Sequence, residues 1–200
     1  MNNQNISNST NRENENVFKP FNSIDMESFI GKLKHEDNRN LQQVKSFKWI
    51  YLIFIIVYTL LYVINPDKDV ALYSRISGVL FIGAFAVFYL IFRKYSKIFG
   101  AIDYSVPLSE MLLKVIDRYQ LKFRTYLEAT LPLVLIDIAL VLNFYHDLTW
   151  MSPVNRILVV QAFVIPIFVG AAYVGYLIWR KRQKPLVENA KQMLNDLNAG

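Results

Sequence analysis

The chain has 200 residues and a formal net charge of +6; it is 54% apolar and only 19% charged, against about 25% charge in an ordinary soluble domain. It contains no cysteine, which excludes disulfide scaffolds, thiolate metal centres and thiol nucleophiles. Four long apolar runs, with no polar stripe to face water, exclude a soluble helical bundle and make lipid the expected solvent.

Seven of the first sixteen residues are asparagine, and such a segment buries too little apolar surface to offset its ordering entropy. Residues 1–22 are therefore expected to form a disordered tail, with VFKPF at 17–21 as a short strap. From Ser23 a helix is expected, with Asp25 and Glu27 in its first turn, where the helix dipole favours acids. Met26, Ile30 and Leu33 share a face, which Leu41, Val44 and Phe47 resume after the polar stretch 34–40. Residues 23–48 thus read as a cytoplasmic amphipathic arm.

The four apolar runs cover 49–64, 76–92, 129–145 and 157–179, the third interrupted by Asp137, close to the roughly 17–25 residues that cross a bilayer as helix. The first lacks a small-residue cleavage site and reads as a span, not a signal peptide. No stretch alternates with period two, so an outer-membrane barrel is not expected. Between the second and third runs, Gly100 suits a helix end and Pro107 a helix start. Leu108, Met111, Leu112, Val115, Ile116, Tyr119, Phe123 and Tyr126 recur at steps of three and four. One continuous helix into the third span is expected, so that 93–128 forms a protruding helical hairpin; Glu110 and Lys114 add a favourable i, i+4 pair. Residues 180–200 should hold a final helix opened by Pro185, with Leu186, Ala190, Met193, Leu194 and Leu197 on one side.

Seven basic residues precede the first span, seven lie between the second and third, five follow the fourth, and only Lys68, Arg75 and Arg156 fall in the other connections. The positive-inside rule then puts both termini and the middle connection in the cytoplasm. The expected fold is all-α: a four-helix transmembrane bundle with amphipathic cytoplasmic helices, a multi-pass protein of the cell inner membrane.

Asp137 lies near the middle of the third span. A central aspartate costs about 2.5–3.5 kcal/mol of insertion free energy, while each Leu, Ile, Val or Phe returns about 0.3–0.6 kcal/mol. Tyr58, Thr59 and Tyr62 of the first span lie at similar depth, and Gln161 is the buried polar group of the fourth. Asp137 is expected to be protonated or hydrogen-bonded, with Thr59 or a tyrosine hydroxyl as partner. Interhelical adhesion is the first reading, and a proton or ion role is the second. Ala171 and Gly175 form a small-xxx-small pair suited to close helix packing.

Catalytic chemistry has no support. The two histidines, His35 and His146, stand far apart, and there is no phosphate loop or nucleophile elbow. His146–Asp147 reads as an exposed dipeptide. No catalytic residue, cofactor or metal is expected, and the basic clusters flank spans, so nucleic acid is not an expected partner.

The arm LKHEDNRNLQQVKSFKWIY and the segment DYSVPLSEML resemble a group of small, uncharacterised four-span bacterial membrane proteins encoded near extracytoplasmic-function sigma factors. The resemblance covers most of the chain and implies a membrane accessory to envelope regulation; it carries no catalytic residues across. The expected function is non-enzymatic, regulatory or scaffolding, through cytoplasmic helices that bind a protein partner. The alternative is a small oligomeric transporter or channel using Asp137.

Overall fold

The computed structural model describes residues 23–64 and 71–199. The expected tail and strap, and most of the 65–75 connection, lie outside the described residues. Among the described residues six α-helices succeed one another: α1 (Ser23–Tyr58), α2 (Leu72–Gly100), α3 (Leu108–Tyr119), α4 (Phe123–Asp147), α5 (Pro153–Arg182) and α6 (Lys184–Ala199). The end of α1 continues as π-helix over Thr59–Ile64. Among the described residues there is no strand.

Four stretches are long and apolar enough to cross a membrane: Met26–Ile64, Leu72–Gly100, Thr125–Asp147 and Pro153–Arg182. The described residues are thus all-helical, with the length and composition of a multi-pass membrane protein. Each helix outruns its uncharged core because polar residues continue the helix beyond the apolar stretch. At about 1.5 Å per residue, the 29 residues of α2 exceed a hydrocarbon core of about 30 Å.

The spans pack in one row, α1 on α2, α2 on α4, and α4 on α5. An aromatic seam joins the first two. Phe47 and Tyr51 stack on Phe92 with centroids 5.3 and 5.5 Å apart. Further along, Tyr51 stacks on Phe88, and Tyr58 meets Phe85 and Phe81. Hydrophobicity does not drive association inside lipid, so close contact and buried hydrogen bonds must do so. Gly78 supplies the close contact, since a Cβ there would fall on the Cβ and ring of Tyr62. Ser77, 1% exposed, supplies the hydrogen bond by donating Oγ to the Ala139 carbonyl at 2.7 Å, which ties α2 to α4.

At the end facing away from the 148–152 turn, α3, α6 and the first half of α1 form a three-helix head. Phe29 and Leu33 of α1, Leu112 and Val115 of α3, and Leu186, Val187 and Ala190 of α6 make its buried core. The apolar faces read in these helices therefore cover one another. Phe29 joins that core, and Leu197, expected on the apolar side of α6, is 49% exposed.

The continuity expected from α3 into α4 is broken. Gln120 is extended at φ −66°, ψ 133°, and α4 begins at Phe123. The Trp179 indole N–H donates to the Tyr119 carbonyl at 2.8 Å and so takes up a carbonyl that a continuous helix would have bonded internally. As a result α3 lies against α6 instead of prolonging a hairpin. Pro107 stands just before α3, and its carbonyl accepts from Met111 N–H at 2.9 Å. At the opposite end the α4–α5 turn is knitted by Arg156, whose guanidinium donates to the carbonyls of Met151, Tyr145 and Thr149 at 2.9, 3.2 and 3.0 Å.

Candidate functional site

Asp137 and Gln161 come together. Gln161 Nε2 donates to Asp137 Oδ1 at 2.7 Å, linking α4 to α5. Thr59 is not the partner. Its Oγ1 donates 2.7 Å to the Ile55 carbonyl one turn back, satisfied within its own helix. The tyrosines are not partners either: Tyr58 and Tyr62 stack on each other at 5.6 Å in the α1–α2 seam. The five intramembrane candidates therefore split three ways: Asp137 and Gln161 bridge α4 and α5, Tyr58 and Tyr62 stack in the α1–α2 seam, and Thr59 is bonded within its own helix. Depth along a span is readable from sequence, but the direction a side chain faces depends on which helices become neighbours.

His146 is also engaged, stacking on Tyr73 of α2 with centroids 3.7 Å apart. Among the described residues no three His, Asp or Glu side chains could hold a metal ion.

The most elaborate polar constellation lies where the sequence pattern points to solvent. Asp37 sits inside the polar stretch 34–40 of α1, yet its side chain is only 4% exposed. Arg118 Nη1 of α3 donates to both of its oxygens, at 2.8 and 2.9 Å. The Tyr104 hydroxyl donates to Oδ2 at 2.8 Å and the Tyr119 hydroxyl to Oδ1 at 2.5 Å. Asn40 Nδ2 in turn donates to the Tyr119 oxygen at 3.2 Å. A buried carboxylate is costly unless its lone pairs are filled, and here one cation and two phenols fill them.

Burial, then the hydrogen bond to Asp37, holds the Tyr104 and Tyr119 phenols well above their ordinary pKa. They remain donors throughout the physiological range. Nearby, the Ser105 hydroxyl and backbone N–H both donate to Asp103, which holds that exposed carboxyl below its usual value and shapes the turn into α3.

Asp37 and Arg118 are 81 residues apart, so no local spacing betrays them. The available signal was Tyr119, a hydroxyl-bearing residue within the apolar face of α3, which needs a partner once buried.

Beside the head, a cleft of about 690 Å³ opens between the end of α2, α3 and the start of α4. Three ion pairs rim it: Lys94–Glu128 at 2.7 Å, Lys114–Glu110 at 2.7 Å and Lys122–Asp117 at 2.5 Å. The second is the i, i+4 pair expected on α3. Ile98, Phe99 and Leu113 give the cleft an apolar floor.

Compared with family models, curated proteins and solved structures, the chain matches none. Its functional reading rests on its own geometry.

Proposed function

We propose that the protein is a non-enzymatic scaffold of the cell inner membrane, with both termini in the cytoplasm, whose head binds a cytoplasmic protein. Orientation is read from the sequence, in which nineteen basic residues fall before the first span, between the second and third, or after the fourth, and three fall in the other two connections. The observation that carries the reading is the buried Asp37 knot. It joins α1, the 101–107 connection and α3, and Trp179 ties α3 to the end of α5. A simple anchor needs no such knot, whereas a surface that must be presented in one orientation does. The role in an envelope-regulation operon implied by the resemblance is compatible with such a presenting module.

Transport is the weaker reading, because Asp137 is already bonded to Gln161 and the other intramembrane candidates face another helix pair. Two measurements separate the readings. Crosslinking in cells followed by purification should capture a cytoplasmic protein that is lost when residues 1–48 or 184–200 are deleted. A proteoliposome flux abolished by Asp137→Asn would instead establish transport and overturn the scaffold.

A further inference from the structure

The charged cleft does not end at its rim. A second, apolar groove of about 370 Å³ runs between α2 and α4, lined by Val87, Leu90, Ile91, Leu127 and Leu131. Lys94 and Glu128 line both cavities, so cleft and groove meet at that ion pair.

The meeting point lies at the edge of the hydrocarbon layer. Lys94 comes just after the uncharged stretch 76–92, and Glu128 directly precedes the apolar stretch 129–145. Leu90, Leu127 and Leu131 are each more than half exposed, open to whatever apolar chain lies alongside. A single glycerophospholipid has this shape, with a polar head at the boundary and an acyl chain below it.

We propose that the cleft and groove together form a binding site for one zwitterionic aminophospholipid, its head among the three rim pairs and one acyl chain between α2 and α4. Charge selects the head. Arg118 is committed to Asp37, which leaves Lys94, Lys114 and Lys122 facing Glu110, Asp117 and Glu128. Three cations and three acids lie side by side along the rim and can answer a phosphate and an ammonium at once. A head with only negative charge would draw the lysines away and offer Glu110 and Asp117 no cation in return. The three lysine side chains are about half exposed, and such pairs hold weakly enough to exchange partners. The proposal is independent of the scaffold reading and of which leaflet the head faces.

Native mass spectrometry of the full-length protein in micelles holding equimolar phosphatidylethanolamine and phosphatidylglycerol, with matched acyl chains, tests it. The amine lipid should be retained over the anionic one by about fivefold, roughly the worth of one exposed ion pair. Glu128→Gln should remove that preference. Asp117→Asn, at a side chain 76% exposed, should lower it without touching the packing. Leu131→Trp, which fills the groove, should reduce retention of both lipids while the protein keeps its elution volume. Equal or greater retention of phosphatidylglycerol by the unaltered protein overturns the proposal. So does unchanged retention in Leu131→Trp, or displacement of the bound lipid by soluble glycerophosphoethanolamine, which would confine recognition to the cleft.

Discussion

Replacing Asp37 with alanine tests the head most directly. The substitution removes the acceptor for the Arg118 guanidinium and for both phenol hydroxyls. Arg118 is only 13% exposed, so it cannot turn fully to water without leaving its place beside α1. Breaking a buried pair by removing one partner costs about 3–5 kcal/mol, most of it the unmet charge left behind. The opened population of the head should therefore rise roughly 150- to 5,000-fold. Trp179 reports the event, because its indole N–H holds the Tyr119 carbonyl. With Trp49 and Trp150 changed to phenylalanine (both are largely exposed), the fluorescence of Trp179 in detergent should track opening along a denaturant titration. The double variant Asp37→Leu, Arg118→Met should regain the share of the loss due to the unmet guanidinium, while the Tyr104 and Tyr119 hydroxyls stay without their acceptor. A loss below about 1 kcal/mol in Asp37→Ala, the range of an exposed surface pair, would refute the argument that this pair is buried and structural.

Three further outcomes are expected. Gly78→Ala puts a methyl group onto the Tyr62 side chain and should destabilise the α1–α2 seam by about 1–3 kcal/mol; Gly170→Ala, where a Cβ meets nothing within 4 Å, should leave the melting temperature unchanged. The raised phenol pKa values of Tyr104 and Tyr119 stabilise the fold fully below about pH 10, the ordinary phenol value, and that stability is lost as pH rises above it. Alkaline titration should accordingly release the head, and Tyr104→Phe should weaken the dependence; a flat profile from pH 9 to 12 would contradict it. Asp137→Asn keeps an oxygen for Gln161 and should cost almost nothing, whereas Asp137→Leu should lose about 0.6–1.7 kcal/mol in thermal melts, the usual worth of an interhelical bond in a membrane.

Solvent preference and helix punctuation are short-range properties, and the sequence alone determined both. Four long apolar runs predicted four helices able to cross a membrane, Gly100 and Pro107 predicted the interval between α2 and α3, and the spacing of Leu186, Ala190 and Met193 predicted the buried side of α6. Periodicity also extended the α3 pattern into α4, because it cannot register a carbonyl captured from outside by Trp179.

Polar pairing was decided only by the tertiary structure. Asp137 and Thr59 share a depth, but α1 packs on α2 while α4 meets α5, so the amide of Gln161 fills the role expected of a hydroxyl. The stretch 34–40 reads as solvated because its residues are polar. Asp37 is nonetheless buried, since Arg118, Tyr104 and Tyr119 arrive from far along the chain to satisfy it. The free energy of burying a charge depends on the groups that surround it, and those are known only once the helices have packed.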